Sequence, residues 1–127
     1  MTNFNRSDFN FLKEQLKSKN LEYRVKFNFM SKFGELVGLN VPVLIDFYTE
    51  WNEASVKMHP VLRDVASAIG DKAKVIKIDV DKNTQLAEAL RVKGLPTLMI
   101  YKKGEMLWRK SGEQNAESII AILEQYS

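Results

Sequence analysis

Residues 46–62 read DFYTEWNEASVKMHPVL and contain the end of an apolar run, a short polar segment and the start of a helical pattern. The stretch continues an apolar run at 41–48, VPVLIDFY, which one acid interrupts, as in a central strand covered on both faces. Asn52 is a favourable N-cap residue, and a carboxylate such as Glu53 is favourable in the first turn of a helix. The stretch therefore predicts a buried strand, a short polar loop and a helix from about residue 52 to residue 69.

Strands and helices alternate along the rest of the chain. KVIKIDV at 74–80 and TLMIYKK at 97–103 are strand-like apolar runs, and a turn at Lys103-Gly104 leads into a further strand at 105–111. Helices are expected from Asn83 to about residue 91 and after Asn115. This order predicts the α/β class, with a central mixed β-sheet flanked by α-helices.

The first 40 residues predict additional elements. Apolar residues recur at helical spacing within 7–18, and LEYRVKFN at 21–28 alternates apolar and polar residues as an edge strand does. A short helix is expected over 31–37. We therefore expect one domain over 1–127, with 1–20 as an N-terminal helical extension.

Charge and hydropathy narrow the classes of partner. The net charge is +3, and its basic excess and six of the seven Phe lie within residues 1–40. Basic and aromatic residues together can indicate nucleic-acid binding, but these aromatics fall at core spacings and the charge is small, so we expect no nucleic-acid partner. Since no apolar run approaches ~20 residues and the N-terminus is polar, we expect no membrane partner, no secretory signal and a cytoplasmic location.

The chain contains no cysteine. This excludes disulfides, thiolate metal sites and thiol catalysis together. DVDKN at 79–83 begins like a calcium loop, but Leu90 stands where the bidentate Glu belongs. We predict no metal site and no cofactor.

Several landmarks together resemble the thioredoxin family over about residues 29–127. They are VLIDFYTEW at 43–51, Pro60 within the following helix, IDVDKN at 78–83, VKGLPTLMIYKKGE at 92–105, and Gly112. The family motif W-C-G-P-C reads here Trp51-Asn52-Glu53-Ala54-Ser55, so Asn52 and Ser55 stand at both cysteine positions. The resemblance implies the thioredoxin fold without its activity, since thiol–disulfide exchange needs an attacking thiolate and a resolving thiol.

The resemblance also implies a binding groove and a buried acid. In the family, an extended peptide binds by backbone hydrogen bonds beside the active loop and a cis-proline. The matching positions here are Trp51, Leu95, Pro96 and Gly112, with a cis Leu95–Pro96 bond. Asp46 matches a buried acid that aids proton transfer to the second cysteine, and without that cysteine we interpret it as a relic.

Two functions of different classes follow. The first is a redox-inactive, non-enzymatic module with no catalytic residue, which binds a protein or an extended peptide in the former active-site groove. The alternative is an enzyme of altered chemistry in which Ser55 or Asn52 binds a small thiol or another ligand. A structural subunit of a larger assembly is a weaker third option. A Ser55–His59–Asp46 hydrolase is disfavoured, because the sequence shows no oxyanion hole and no nucleophile elbow. The sequence does not specify the partner or the oligomeric state.

Overall fold

The computed structural model describes residues 31–127, which form a four-stranded sheet with helices on both faces. Residues 31–37 are helical (α1), and a 3-10 turn at Gly70–Lys72 follows the second helix. The remaining elements, in chain order, are β1 (Val43–Tyr48), α2 (Glu53–Ile69), β2 (Lys74–Asp79), α3 (Thr84–Ala89), β3 (Thr97–Lys102), β4 (Glu105–Ser111) and α4 (Ala116–Gln125).

The strand order is β2-β1-β3-β4. The β1–β2 pair is parallel, whereas the β1–β3 and β3–β4 pairs are antiparallel. The two central strands are buried along almost their whole length, as their continuous apolar sequences predict. At the β3–β4 turn Lys103 and Gly104 both have positive φ, as a tight hairpin turn requires. The predicted mixed sheet flanked by helices is confirmed.

The sheet separates two apolar cores because successive residues of a strand point to opposite faces. Val43, Ile45 and Phe47 of β1 pack on one side, where Phe33 of α1 meets Tyr101 edge to face with ring centroids 5.9 Å apart. Leu44 packs on the other side against α2 and α4. The buried residues that α2 and α4 contribute to this second core are Met58, Leu62, Val65, Ile69, Ile119 and Leu123.

Each such side chain stabilises the fold by roughly 1.5–3 kcal/mol through burial alone. Leu62 is 2% exposed at the centre of α2. Truncating it to alanine would also leave a cavity, at a cost of roughly 2–5 kcal/mol. The second core therefore holds α2 firmly on the sheet, and with it the loop that precedes α2.

Most of the predicted helix ends are observed. Asn52 and Asn115 are N-caps whose side chains accept hydrogen bonds from Ser55 N and Ser118 N, and Gly70 ends α2 with a φ of 56°. Asn83 behaves differently from the prediction. It precedes α3 without capping it, because its side-chain amide donates to Asp79 O at 2.8 Å. The helix there is also shorter than predicted, since it ends at Ala89.

The helix predicted over 7–18, the edge strand predicted over 21–28 and the extension 1–20 lie outside the described residues. Within residues 31–127, no helix combines the length and the apolar composition that crossing a membrane requires.

Candidate functional site

Four loops meet at one end of the sheet. In the parallel pair Tyr48 lies opposite Asp79, so β1 and β2 both finish at this end. The antiparallel strand β3 starts here, with Thr97 opposite Phe47 of β1, and β4 finishes here at Ser111. The segments 49–52, 80–83, 94–96 and 112–115 are therefore neighbours. The sheet thus brings together the predicted loop Trp51–Ser55 and the predicted groove positions Leu95, Pro96 and Gly112.

Trp51 is the most prominent side chain of this surface. It is 71% exposed, the largest apolar exposure among the described residues. Its indole Nε1 donates a 2.9 Å hydrogen bond to Oδ2 of Asp81, in the loop after β2. Asp81 is itself positioned by its backbone N–H, which donates to Oδ1 of Asp79 at 2.9 Å. The ring is therefore held in place while much of its surface faces solvent.

The residues at the two cysteine positions of the motif serve the start of α2. The Asn52 side-chain oxygen accepts from Ser55 N at 2.8 Å, with Asn52 in extended backbone geometry. The Ser55 hydroxyl oxygen accepts from Thr49 N at 3.4 Å, and Ser55 is completely buried. The loop is thus tied at both positions by internal hydrogen bonds. This leaves the Ser55 hydroxyl without the solvent access that the alternative, a ligand-binding enzyme, requires.

Glu53 and Ala54 lie between these two positions. Glu53 occupies the first turn of α2, where a carboxylate interacts favourably with the helix dipole. It also pairs with Lys57 at 3.4 Å, and both side chains are largely exposed. An exposed i, i+4 pair contributes only about 0.3–0.5 kcal/mol. The pair mainly offsets the negative charge of Glu53.

Asp46 lies in β1 within the buried part of the sheet. It is completely buried, and neither carboxylate oxygen has a hydrogen-bond partner within residues 31–127. Burial raises the pKa of Asp46 to about 7, against the lowering effect of Lys77, its neighbour in register on β2. Because the neutral form is favoured there, the carboxyl is protonated over much of the acidic range.

The Ser55, His59 and Asp46 side chains do not form a triad. No hydrogen bond joins any two of them in the described part of the chain. The His59 ring instead meets Tyr48 edge to face, with centroids 5.2 Å apart, and its Nδ1 has no partner there. Burial and then Lys77 lower the pKa of His59, opposed by Glu50. The hydrolase hypothesis gains no support.

The Leu95–Pro96 peptide bond is cis. Pro96 is buried, and its carbonyl accepts from Gly112 N at 2.8 Å, which joins the two predicted groove positions directly. Gly112 has a φ of 92°, which favours glycine over residues with a side chain. Leu95 is half-buried, and its backbone N–H and C=O make no hydrogen bond to any residue from 31 to 127. Both groups are therefore unpaired within the described part of the chain.

The two acids at the end of β2 form hydrogen bonds within these loops. The Asp79 carboxylate accepts from Asp81 N, the backbone carbonyl of Asp79 accepts from the side-chain amide of Asn83, and the Asp81 carboxylate accepts from Trp51. No group of three or more His, Asp or Glu side chains among residues 31–127 is placed to hold a metal ion.

Sequence reasoning missed two features of this site. The Trp51–Asp81 hydrogen bond spans 30 residues of sequence, and the Ser55 hydroxyl turns inward to Thr49. No local pattern indicates either contact. An Asp shortly after β2, the strand that runs parallel to β1, was the available clue to the first.

Comparisons with known proteins agree with this architecture. The family model described as Thioredoxin matches residues 24–125. A thioredoxin-like protein of Synechocystis is 36% identical over 100 residues, which cover 79% of this chain and 95% of that protein. Chloroplastic thioredoxin Y of rice, Oryza sativa, is 36% identical over 105 residues, covering 82% of this chain but 62% of the rice protein, less than two thirds of its length.

Solved structures give the same picture. The crystal structure of chloroplastic thioredoxin z matches with a TM-score of 0.68 at 30% identity and covers 76% of this chain and 87% of that one. A mutant thioredoxin from Halobacterium salinarum matches with a TM-score of 0.69 at 33% identity and covers 76% of this chain and 83% of that one.

Proposed function

The chain belongs to the thioredoxin family and contains no cysteine, and we propose that it is a redox-inactive member that binds an extended segment of another protein. The family's homologues are oxidoreductases that need cysteines. Thiol–disulfide exchange passes through a mixed disulfide, so it needs one thiol to attack and another to resolve. Asn52 and Ser55 offer an amide and a hydroxyl at these positions, and neither forms a disulfide.

One observation carries the binding role. The anchored, exposed ring of Trp51 and the open backbone of Leu95 lie at the same end of the sheet. An extended segment that runs past the start of β3 would pair with the N–H and C=O of Leu95, as in other cases of strand addition. Trp51 would supply apolar contact area beside it, and large aromatic side chains contribute disproportionately to binding.

The state of the loop supports binding over altered catalysis. Residues that would act on a ligand need accessible polar atoms, whereas the Ser55 hydroxyl is buried and the Asn52 side-chain oxygen is taken by Ser55 N. The loop therefore has internal hydrogen bonds that shape it and carries no thiol. What it still offers to a partner is shape, an aromatic surface and backbone hydrogen bonds.

A comparative capture experiment tests this proposal. The immobilised wild type and Trp51→Asp would be incubated with cell extract, and the bound proteins quantified by mass spectrometry. Ala121→Asp, at an exposed position of α4, is the matched control. We expect a set of proteins that the wild type and the control retain and Trp51→Asp loses, with all three proteins equally stable. Identical sets on all three would contradict the proposed surface.

A further inference from the structure

The orientation of Trp51 indicates what kind of side chain it receives. An indole N–H usually needs a hydrogen-bond partner, and here Asp81 supplies one at 2.9 Å from within the chain. The remaining exposed surface of the ring is aromatic carbon, with its electron-rich faces. Because the ring is already anchored, binding to it costs little further side-chain entropy.

Three carboxylates lie close to Trp51 in sequence or by direct contact. Glu50 precedes it, Glu53 begins α2 two residues after it, and Asp81 accepts its indole N–H. The nearby cations offset them in part: Lys57 pairs with Glu53, and Lys82 is exposed next to Asp81.

Carboxylates also act on Tyr48, the last residue of β1. Burial, and after it the carboxylates of Asp79, Glu50 and Asp46, raise the pKa of Tyr48. The charged groups that raise this pKa are acidic, and one of them, Glu50, directly precedes Trp51 in the chain.

The chain itself already places a cation over an aromatic ring near this end of the sheet. The Lys77 ammonium lies 5.9 Å from the centroid of the Tyr48 ring. Tryptophan is the stronger of the two rings for a cation–π interaction. No cation from residues 31–127 lies over the ring of Trp51.

We propose that the partner segment places a lysine or arginine side chain on the exposed face of Trp51, beside the carboxylates of Glu50 and Asp81. The inference rests on the proposed peptide-binding function and adds the chemistry of the ligand. The cation belongs at the Trp51 end of the groove, because Lys93 next to Gly94 disfavours a positive charge at the Leu95 end. The ring contributes the cation–π attraction, and the carboxylates contribute the charge complement.

A peptide array with paired sequences provides the test. Nine-residue peptides of random, cysteine-free sequence would each be made in four versions, with Lys, Arg, norleucine or Glu at the centre. Norleucine retains the alkyl chain of lysine without its charge. The strongest sequences would then be titrated against the ¹⁵N-labelled protein, with the indole N–H signal of Trp51 as the reporter. Trp51 and Trp108 are the two tryptophans, so the Trp108→Phe variant assigns that signal.

We expect the Lys and Arg versions to bind on the order of three- to tenfold more tightly than norleucine, as one exposed cation–π contact plus a screened ion pair provides. The Glu versions should bind most weakly. The preference should shrink in Trp51→Leu, which loses the cation–π contact but keeps the carboxylates, and also in Glu50→Gln, which loses part of the charge complement. It should persist in Glu105→Gln, an exposed site at the opposite end of the sheet.

The outcomes separate the two proposals. If peptides bind and shift the Trp51 signal, but the Lys, Arg and norleucine versions have equal affinities, the peptide-binding proposal is supported and the cation preference is refuted. A preference for norleucine or Glu refutes it as well. If no peptide version binds to the wild type, the proposed peptide-binding function itself fails, and the cation preference fails with it.

Discussion

Trp51 and Asp81 are joined by a 2.9 Å hydrogen bond between the indole Nε1 and a carboxylate oxygen, although 30 residues separate them in sequence. The contact links the loop before α2 to the loop after β2, and the parallel pairing of β1 and β2 makes it possible. The hydrogen bond therefore restricts the orientation of an otherwise exposed tryptophan side chain.

Removing the acceptor tests this relationship. In Asp81→Ala the indole N–H should lose its hydrogen-bond partner. The Trp51 indole signal should therefore shift in a ¹H–¹⁵N spectrum, and the Trp51 side chain should become more mobile. The free energy of unfolding should change by less than about 1 kcal/mol, because the bond is exposed to water. Asp71→Ala, in the 3-10 turn after α2, is the control. An unshifted indole signal in Asp81→Ala would show that the bond is not formed in solution.

The wild-type protein should not catalyse disulfide reduction. With no thiol in the chain, it should not accelerate the reduction of insulin disulfides by dithiothreitol beyond an albumin control. The turbidity of precipitating insulin chains reports the rate. A catalytic rate above the control would contradict the redox-inactive assignment.

Restoring both thiols should yield a poor but measurable reductase. In Asn52→Cys with Ser55→Cys, the first thiol would be partly exposed at the helix start and the second buried, so one can attack and the other resolve. The Glu53 carboxylate beside the first thiol should raise its pKa by like-charge repulsion, which lowers the thiolate fraction. Adding Glu53→Gly and Ala54→Pro should therefore increase the rate. A folded but inert C-G-P-C variant would mean that the surrounding site has diverged too.

Asp46 should make the protein less stable as the pH rises. Its pKa is about 7 in the folded chain against an ordinary value of 3.8 for an exposed Asp, so the folded state binds the extra proton between these limits. The contribution of protonated Asp46 to the free energy of unfolding is therefore fully present below about pH 4. It is lost as the pH rises towards 7, which lowers the free energy of unfolding by at most about 4 kcal/mol. Above pH 7 this contribution is constant.

The variant Asp46→Asn removes this titration. The free energy of unfolding of the variant minus that of the wild type should be about 2–3 kcal/mol larger at pH 8 than at pH 5. Urea unfolding of both proteins at both pH values measures this difference. Asp64→Asn, at an exposed position of α2, should leave the pH dependence unchanged. Parallel pH profiles for the wild type and Asp46→Asn would show that the carboxyl titrates normally.

Asn52 should matter for stability rather than for chemistry. Asn52→Ala removes the 2.8 Å hydrogen bond to Ser55 N and should cost about 1 kcal/mol in the free energy of unfolding, whereas Asn52→Ser should retain most of it. Asn40→Ala, an exposed position before β1, is the comparison. If alanine and serine at position 52 are equally stable, the cap contributes nothing.

The sequence alone determined the described strands, most of the helix boundaries and the nature of the degenerate loop. Local signals suffice for these features, because burial imposes a period of two or 3.6 residues and Asn or Gly marks a helix end. The absence of cysteine is likewise a property of composition. The same local reasoning was wrong at Asn83, whose side chain bonds back to Asp79 rather than capping α3.

Only the tertiary structure decided which polar groups have partners. The sequence places Asp46 in an apolar strand, but its burial, which raises its pKa, and the lack of a partner for its oxygens within residues 31–127 depend on what surrounds it in the fold. The inward bond of Ser55, the open backbone of Leu95 and the anchoring of Trp51 also depend on segments distant in sequence. Hydrogen bonding and desolvation depend on three-dimensional neighbours, whereas periodicity and capping depend on residues close along the chain.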